Sequence, residues 1–257
     1  MTESTILMAL QRQGFAIVPN VVSPAEAEAM RPLLQREIEA DILRWRGKPG
    51  YIDEGMVHNL MVRAQPFMQL LDNDVIHEHL SAVLGDTCIL YAYTSSSMLP
   101  GQTNYSARIH VDSPRLIPGY PTNVGFLVAL DDFTAENGAT YFLPGSFEQI
   151  EPPSEGDFFE RATRALPRAG DGILFNARTW HYGGFNTTAV ARHAVTMNVC
   201  RAYMRQRFDY PRLIAPDLVA DASPRLRRFL GFDVRMPTSL DEYYVPADQR
   251  LYKGGQG

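Results

Sequence analysis

The stretch VGFLVALDDFTAENGATYFLPGS, residues 124–146, decides the reading of the fold. Val124 to Leu130 alternates as a half-buried strand does. Asp131 to Gly138 is rich in turn formers, Ala139 to Leu143 is apolar again, and Pro144-Gly145 turns the chain once more. Short apolar runs separated by such turns indicate antiparallel strands. A βαβ unit would need a crossover of a dozen or more residues.

The same pattern extends in both directions. Cys88 to Tyr93 is short, apolar and aromatic; Gly170-Asp171-Gly172 introduces Ile173-Leu174-Phe175; His193 to Tyr203 alternates through Val195, Met197 and Val199. The N-terminal third reads differently. After the strand candidate Phe15-Ala16-Ile17-Val18, Ser23-Pro24 opens a helix over Ala25 to Ala40, with Ser23 as N-cap and a kink or break expected near Met30 because Pro32 lies inside it. Gly47 to Asn59 is a loop, and Gln65 to Leu84 predicts two short helices ending at Gly85. A further short helix is expected at Ser223 to Leu230. The fold expected is mainly β with flanking helices, a sandwich or jelly roll. It forms one domain over 1–257: a helical layer and lid (1–86), a β core (87–204) and a C-terminal extension (205–257).

Composition narrows the function. Lys+Arg 24 against Asp+Glu 29 is a net charge of −5, which argues against a nucleic-acid surface or a polybasic membrane anchor. Hydrophobic residues make up 45% and charged residues 21%, the usage of a folded globular chain. Two cysteines, Cys88 and Cys200, cannot build a disulfide framework. No signal peptide and no apolar run of spanning length is read, so a soluble cytoplasmic protein is expected. There is no G-x-G-x-x-G or P-loop.

Among six histidines, one begins a His-x-Asp: His110-Val111-Asp112. On an extended segment residues i and i+2 share a face, so imidazole and carboxylate converge while Val111 packs behind. Two such ligands plus a distant histidine make the 2-His-1-carboxylate triad of non-haem Fe(II) oxygenases. His181, in Trp180-His181-Tyr182-Gly183-Gly184, supplies the third, and the glycines permit close approach. Arg192, at the entrance to the His193 strand, offers a fork suited to the far carboxylate of a 2-oxo acid. His77 and His79, at i and i+2 of a helix, do not share a face and are not a metal pair. His193 points to the opposite side of its strand from Arg192.

From about Cys88 to Tyr210 the chain resembles the phytanoyl-CoA dioxygenase-like family of Fe(II)/2-oxoglutarate-dependent oxygenases. The likeness rests on His110-Val111-Asp112-Ser113-Pro114-Arg115, Ala129-Leu130-Asp131-Asp132-Phe133, Glu136-Asn137-Gly138-Ala139-Thr140, Pro144-Gly145-Ser146, Gly170-Asp171-Gly172, Trp180-His181 with its two glycines, and Arg192. The opening strand and Ser-Pro-capped helix are also similar to the family's. Phe147 stands where the family usually has histidine, Val111 where many members have glutamine, and Gly183 where some have serine. The resemblance implies a double-stranded β-helix (jelly roll, cupin-like), Fe(II) held by His110, Asp112 and His181, and the cosubstrate 2-oxoglutarate clamped by Arg192, with O2 as oxidant.

Further cosubstrate contacts are expected from Tyr93 or Tyr91, taken to face one way on their strand, and from Thr140; substrate contacts are expected from His58, which follows a glycine-bearing loop (Tyr51 to Val57) read as lying over the iron, and from Arg115 or Arg108. Hydroxylation or another oxidation of a small-molecule metabolite, for example a natural-product intermediate, is the expected activity, with succinate and CO2 as co-products. The carboxylate at position 112 favours hydroxylation over halogenation, whose enzymes vacate that position. Two other readings stay open: a zinc-type hydrolase or isomerase using the same ligands, and a non-catalytic jelly-roll binding protein.

Overall fold

The computed structural model describes residues 2–250. It begins with α1 (Glu3–Gln13), β1 (Phe15–Val18) and α2 (Pro24–Trp45), followed by α3 (Gln65–Leu70) and α4 (Asp74–Leu84). Then come β2 (Ile89–Ser95), β3 (Asn123–Ala129), β4 (Tyr141–Phe142), α5 (Glu155–Arg161), β5 (Thr163–Arg164), β6 (Gly172–Asn176), β7 (His181–Tyr182) and β8 (Ala194–Cys200). Short helices α6 (Tyr210–Leu213), α7 (Pro224–Phe229) and α8 (Leu240–Tyr243) complete the described chain.

Helix α2 starts as its sequence requires. Ser23 caps Glu26 N–H and Glu26 reaches back to Ser23 N–H, with Pro24 in the first turn. It does not break at Pro32; one helix runs through to Trp45. The proline removes one internal hydrogen bond, but Ala27, Met30, Leu34 and Ile38 form a fully buried stripe on both sides of it, and that packing keeps the helix whole.

Five strands form one antiparallel sheet in the order β1-β6-β3-β8-β2, and β5-β4-β7 form a second. The larger sheet is covered on both faces, so β3 is buried along its whole length. One face, through Phe126, Val128, Leu174, Val195 and Met197, packs on the helical layer. The other, through Leu127, Ala129, Ile173, Phe175 and Ala194, meets Phe142 of the smaller sheet. Antiparallel sheets with flanking helices were expected; a mainly β chain was not found. More of the described residues are helical than lie in strands, because a sheet buried on both faces needs an outer layer and helices supply it. No helix among the described residues is long and apolar enough to cross a membrane.

Candidate metal centre

His110 lies outside the regular strands but forms an isolated antiparallel bridge with His181 of β7. The two residues exchange both backbone hydrogen bonds, His110 N to His181 O at 3.0 Å and His181 N to His110 O at 2.9 Å. Two residues on, Asp112 N donates to Ala177 O at 2.8 Å. Val111 turns the other way and packs with Leu143, Phe158 and Trp180.

This backbone arrangement aims three side chains at one point. Asp112 Oδ1 lies 3.6 Å from His110 Nε2 and 3.8 Å from His181 Nε2, and one ligand atom from each residue falls within 4.8 Å of the others. Each ring is held from behind: His110 Nδ1 is 2.8 Å from Arg108 O and His181 Nδ1 is 2.9 Å from Thr179 O. A carbonyl only accepts, so both Nδ1 atoms carry the proton and both Nε2 lone pairs face Asp112. Burial, then the neighbouring His181, push His110 down to about 4, so its ring is neutral at neutral pH. Phe142 and Phe175 lie 5.6 and 5.3 Å from the His181 ring and shield it on the core side.

The cavity at this point is lined by Ser96, Leu127, Thr140 and Thr196 together with Asp53, Asn104, Tyr105 and Ser106. Arg192 is 1% exposed. It donates to Ser96 O at 2.9 Å and Gly138 O at 3.1 Å, and its guanidinium lies 4.0 Å over the Phe133 ring. It shares strand parity with Ala194 of the inner cluster and cavity-lining Thr196. Its Nε is buried without a partner, and among the described residues no carboxylate pairs with it. Burial lowers the affinity of this guanidinium for its proton, which an arriving carboxylate would reverse. The glycines after His181 serve close packing: a Cβ at Gly183 would sit 2.0 Å from Ser106 Oγ, and one at Gly184 2.7 Å from Ala139 O.

Other expected residues are placed elsewhere. Tyr93 is 1% exposed, donates to Phe67 O at 3.2 Å and packs among the helix-side core, while Tyr91 sits in a different cluster with Ile89 and Cys200. An irregularity between Leu90 and Ala92 breaks the strict alternation, and Thr94 lines the cavity instead. Arg115 lines a second cavity with residues of α1 and α4 and of the segment 115–122, because the chain beyond Ser113, whose N–H still donates to Ala177 O, runs on beside those helices. His58 pairs its backbone with Thr94 but is not among the cavity residues; its ring lies 6.1 Å from Phe208. Arg108 contributes its carbonyl to His110, while its guanidinium lies 5.7 Å over Tyr105. His77 and His79 are bonded to the Leu71 and Val75 carbonyls inside the helical layer, and His193 Nδ1 lies 2.9 Å from Ser97 Oγ.

Sequence reasoning missed Asp53, Asn104, Tyr105 and Ser106. The one available signal was the glycine-bearing loop Tyr51 to Val57, read as lying over the site, since Asp53 falls within it.

A family model described as phytanoyl-CoA dioxygenase matches residues 10–194. An uncharacterized protein of Mycobacterium tuberculosis is 33% identical over 97% of this chain and 94% of its own length. A protein named as a dioxygenase in Alternaria alternata is 29% identical over 88% of this chain and 81% of its own. Among solved structures, HygX from Streptomyces hygroscopicus with nickel and 2-oxoglutarate bound superposes with a TM-score of 0.62, at 18% identity, over 80% of this chain and 89% of that one. The epimerase SnoN in complex with Fe3+, alpha ketoglutarate and a nogalamycin compound gives 0.60 at 20% identity over 78% and 84%.

Proposed function

Since the chain belongs to the phytanoyl-CoA dioxygenase family, we propose that His110, Asp112 and His181 hold Fe(II) and that Arg192 binds the far carboxylate of 2-oxoglutarate. The protein is a 2-oxoglutarate-dependent non-haem iron dioxygenase. One observation carries the ligand assignment. Both rings have Nδ1 fixed on a carbonyl, so two imidazole lone pairs and one carboxylate are aimed at a single point. That donor set suits a divalent iron and leaves adjacent positions for a chelating acid. A zinc hydrolase would have no use for a fully buried guanidinium that pairs with no carboxylate among the described residues and feels Asp131 only at longer range, whereas a 2-oxo acid supplies a direct partner.

When bound, iron, 2-oxoglutarate and O2 supply the oxidising chemistry, with succinate and CO2 as co-products. This chain's residues bind, orient and shield. The carbonyls of Arg108 and Thr179 fix the two ring orientations, Asp112 would neutralise part of the metal charge, and Arg192 would orient the acid. Phe142 and Phe175 exclude water from the core side of His181. The two facing sheets support reading 87–204 as a jelly roll within a single oxygenase domain. The substrate is a small-molecule metabolite, and a natural-product intermediate is supported by the nogalamycin complex of a structural neighbour.

The test is anaerobic titration with Fe(II) and 2-oxoglutarate, followed by O2. A visible chelate band and 2-oxoglutarate-dependent succinate formation are expected. In Asp112→Ala and His110→Ala the metal affinity falls at least ~100-fold while circular dichroism is unchanged. Normal metal binding in both variants would remove the triad from consideration.

A further inference from the structure

Asp53 is 8% exposed and lines the triad's cavity together with Thr94, Thr140 and Thr196. Its oxygens accept from Gly55 N at 2.8 Å and Tyr105 N at 3.1 Å, which fastens the 51–57 loop to residues 104–106 beside the cavity. Each carboxylate oxygen has a second lone pair that these bonds leave over. Among the described residues no arginine, lysine or histidine pairs with Asp53, and Glu54 adds only repulsion. No arginine or lysine among the described residues lines the cavity; Arg192 bonds to the carbonyl of Ser96, which does line it. Nor does the loaded site correct this, since a divalent ion and Arg192 already balance Asp112 and the cosubstrate dianion. Burial accordingly raises the Asp53 pKa.

Several of the polar groups that line the cavity with Asp53 have donors to spare. Among the described residues the Tyr105 and Thr94 hydroxyls and the Asn104 amide nitrogen have no hydrogen-bond partner, while Asn104 Oδ1 accepts from Ser106. The apolar side of the cavity, Phe142, Ile173 and Phe175, is the inner core packed behind His181. An apolar acyl chain laid against Asp53 would strip a carboxylate of water and return nothing, the costliest kind of polar burial.

We propose that the substrate is a donor-rich polar molecule, presenting hydroxyls or a protonated amine to Asp53, and not an acyl chain. This rests on the reading of the triad cavity as the active site. Asp53 is then a specificity residue: it accepts the substrate's donors, with Asn104 and Tyr105 beside it in the cavity lining.

The full chain, loaded anaerobically with Fe(II) and 2-oxoglutarate, is titrated with three probe pairs: D-glucose and myo-inositol, D-glucosamine and putrescine, hexanoate and hexanoyl-CoA. Polyols or amines should shift the chelate band and, on admitting O2, stimulate succinate formation. Amines acting alone identify an ammonium, and polyols acting alone identify hydroxyls. Asp53→Asn should weaken that response about tenfold with the chelate band retained. Preference for the acyl probes, no response to any donor-bearing probe, or an unaffected Asp53→Asn overturns the proposal. Should Asp53→Asn fail to fold, Tyr105→Phe keeps the backbone N–H that Asp53 accepts and must weaken the same response; an unaffected variant overturns the proposal. The probes are also ranked by thermal shift of the metal-free protein. A missing chelate band then counts against the iron reading alone, while the ranking still decides the substrate class.

Discussion

His110 and His181 are joined by a closed pair of backbone hydrogen bonds, 3.0 and 2.9 Å, which sets their rings 4.1 Å apart at the centroids. Main-chain pairing brings two distant histidines into ligand range, so the spacing of the Nε2 atoms does not depend on flexible side-chain packing. The rings retain little freedom beyond the bonds their Nδ1 atoms make to Arg108 O and Thr179 O.

Arg192→Lys keeps the charge and loses the fork. The 2-oxoglutarate concentration for half-maximal succinate formation should rise ~10- to 100-fold, with metal affinity unchanged. An unchanged 2-oxoglutarate dependence would assign the clamp to another residue.

Arg178 bears on the candidate metal centre through the backbone. Its guanidinium is buried and donates to Pro114 O at 3.2 Å and Gln149 O at 2.5 Å, and Trp180 Nε1 shares the latter acceptor. It thereby braces the chain just after Asp112 against the segment leading into His181. Arg178→Gln should weaken Ni(II) binding by ~10-fold or more, measured calorimetrically, and addition of metal should recover less thermal stability than in the native protein. Equal Ni(II) affinity in the two proteins would make Arg178 a packing residue only.

Gly125 lies in the middle of β3 where the Phe175 ring crosses it; an added Cβ would fall 2.0 to 2.5 Å from that ring. Gly125→Ala should destabilise the protein by ~1–3 kcal/mol in denaturant unfolding. It should also disturb the metal site, because Phe175 packs on His181. A variant of native stability would mean that the ring moves freely, which its burial in the inner cluster opposes.

Burial lowers the pKa of His58, His77, His110 and His193. Each is held neutral in the fold, so the unfolded chain binds more protons once the pH drops below the ordinary imidazole value of ~6.5. The stability they allow is present above that value and lost as pH falls through it. Asp53, raised by burial, works in the opposite sense and in the carboxylate range. The metal-free protein should melt lower at pH 5.5 than at pH 7.5, and the metal-loaded protein should lose more over the same interval because protons compete for the two Nε2 atoms. Thermal melts across that interval check both, and a flat profile would contradict them.

Much of the architecture was legible because burial imposes periodicity. Val124 to Leu130, Ile173 to Phe175 and Val195 to Val199 all proved to be strands of one sheet, and Ser23-Pro24 opened a helix. Pro32 misled because its penalty is local, while the stripe that overrides it is fixed by the neighbouring layer. Tyr93 misled because alternation assumes an unbroken strand, and the irregularity at Leu90–Ala92 changes the facing of the residues beyond it.

The residues themselves determined the donor types, the His-x-Asp geometry, the availability of His181 and an arginine suited to a carboxylate, since those depend on side-chain chemistry and short spacing. Only the tertiary structure decided that His110 pairs with His181, that Arg115 turns to another cavity, and that Asp53 meets Tyr105 beside the triad's cavity. Those are long-range contacts, set by how separately folded segments pack, and no local pattern in the chain encodes them.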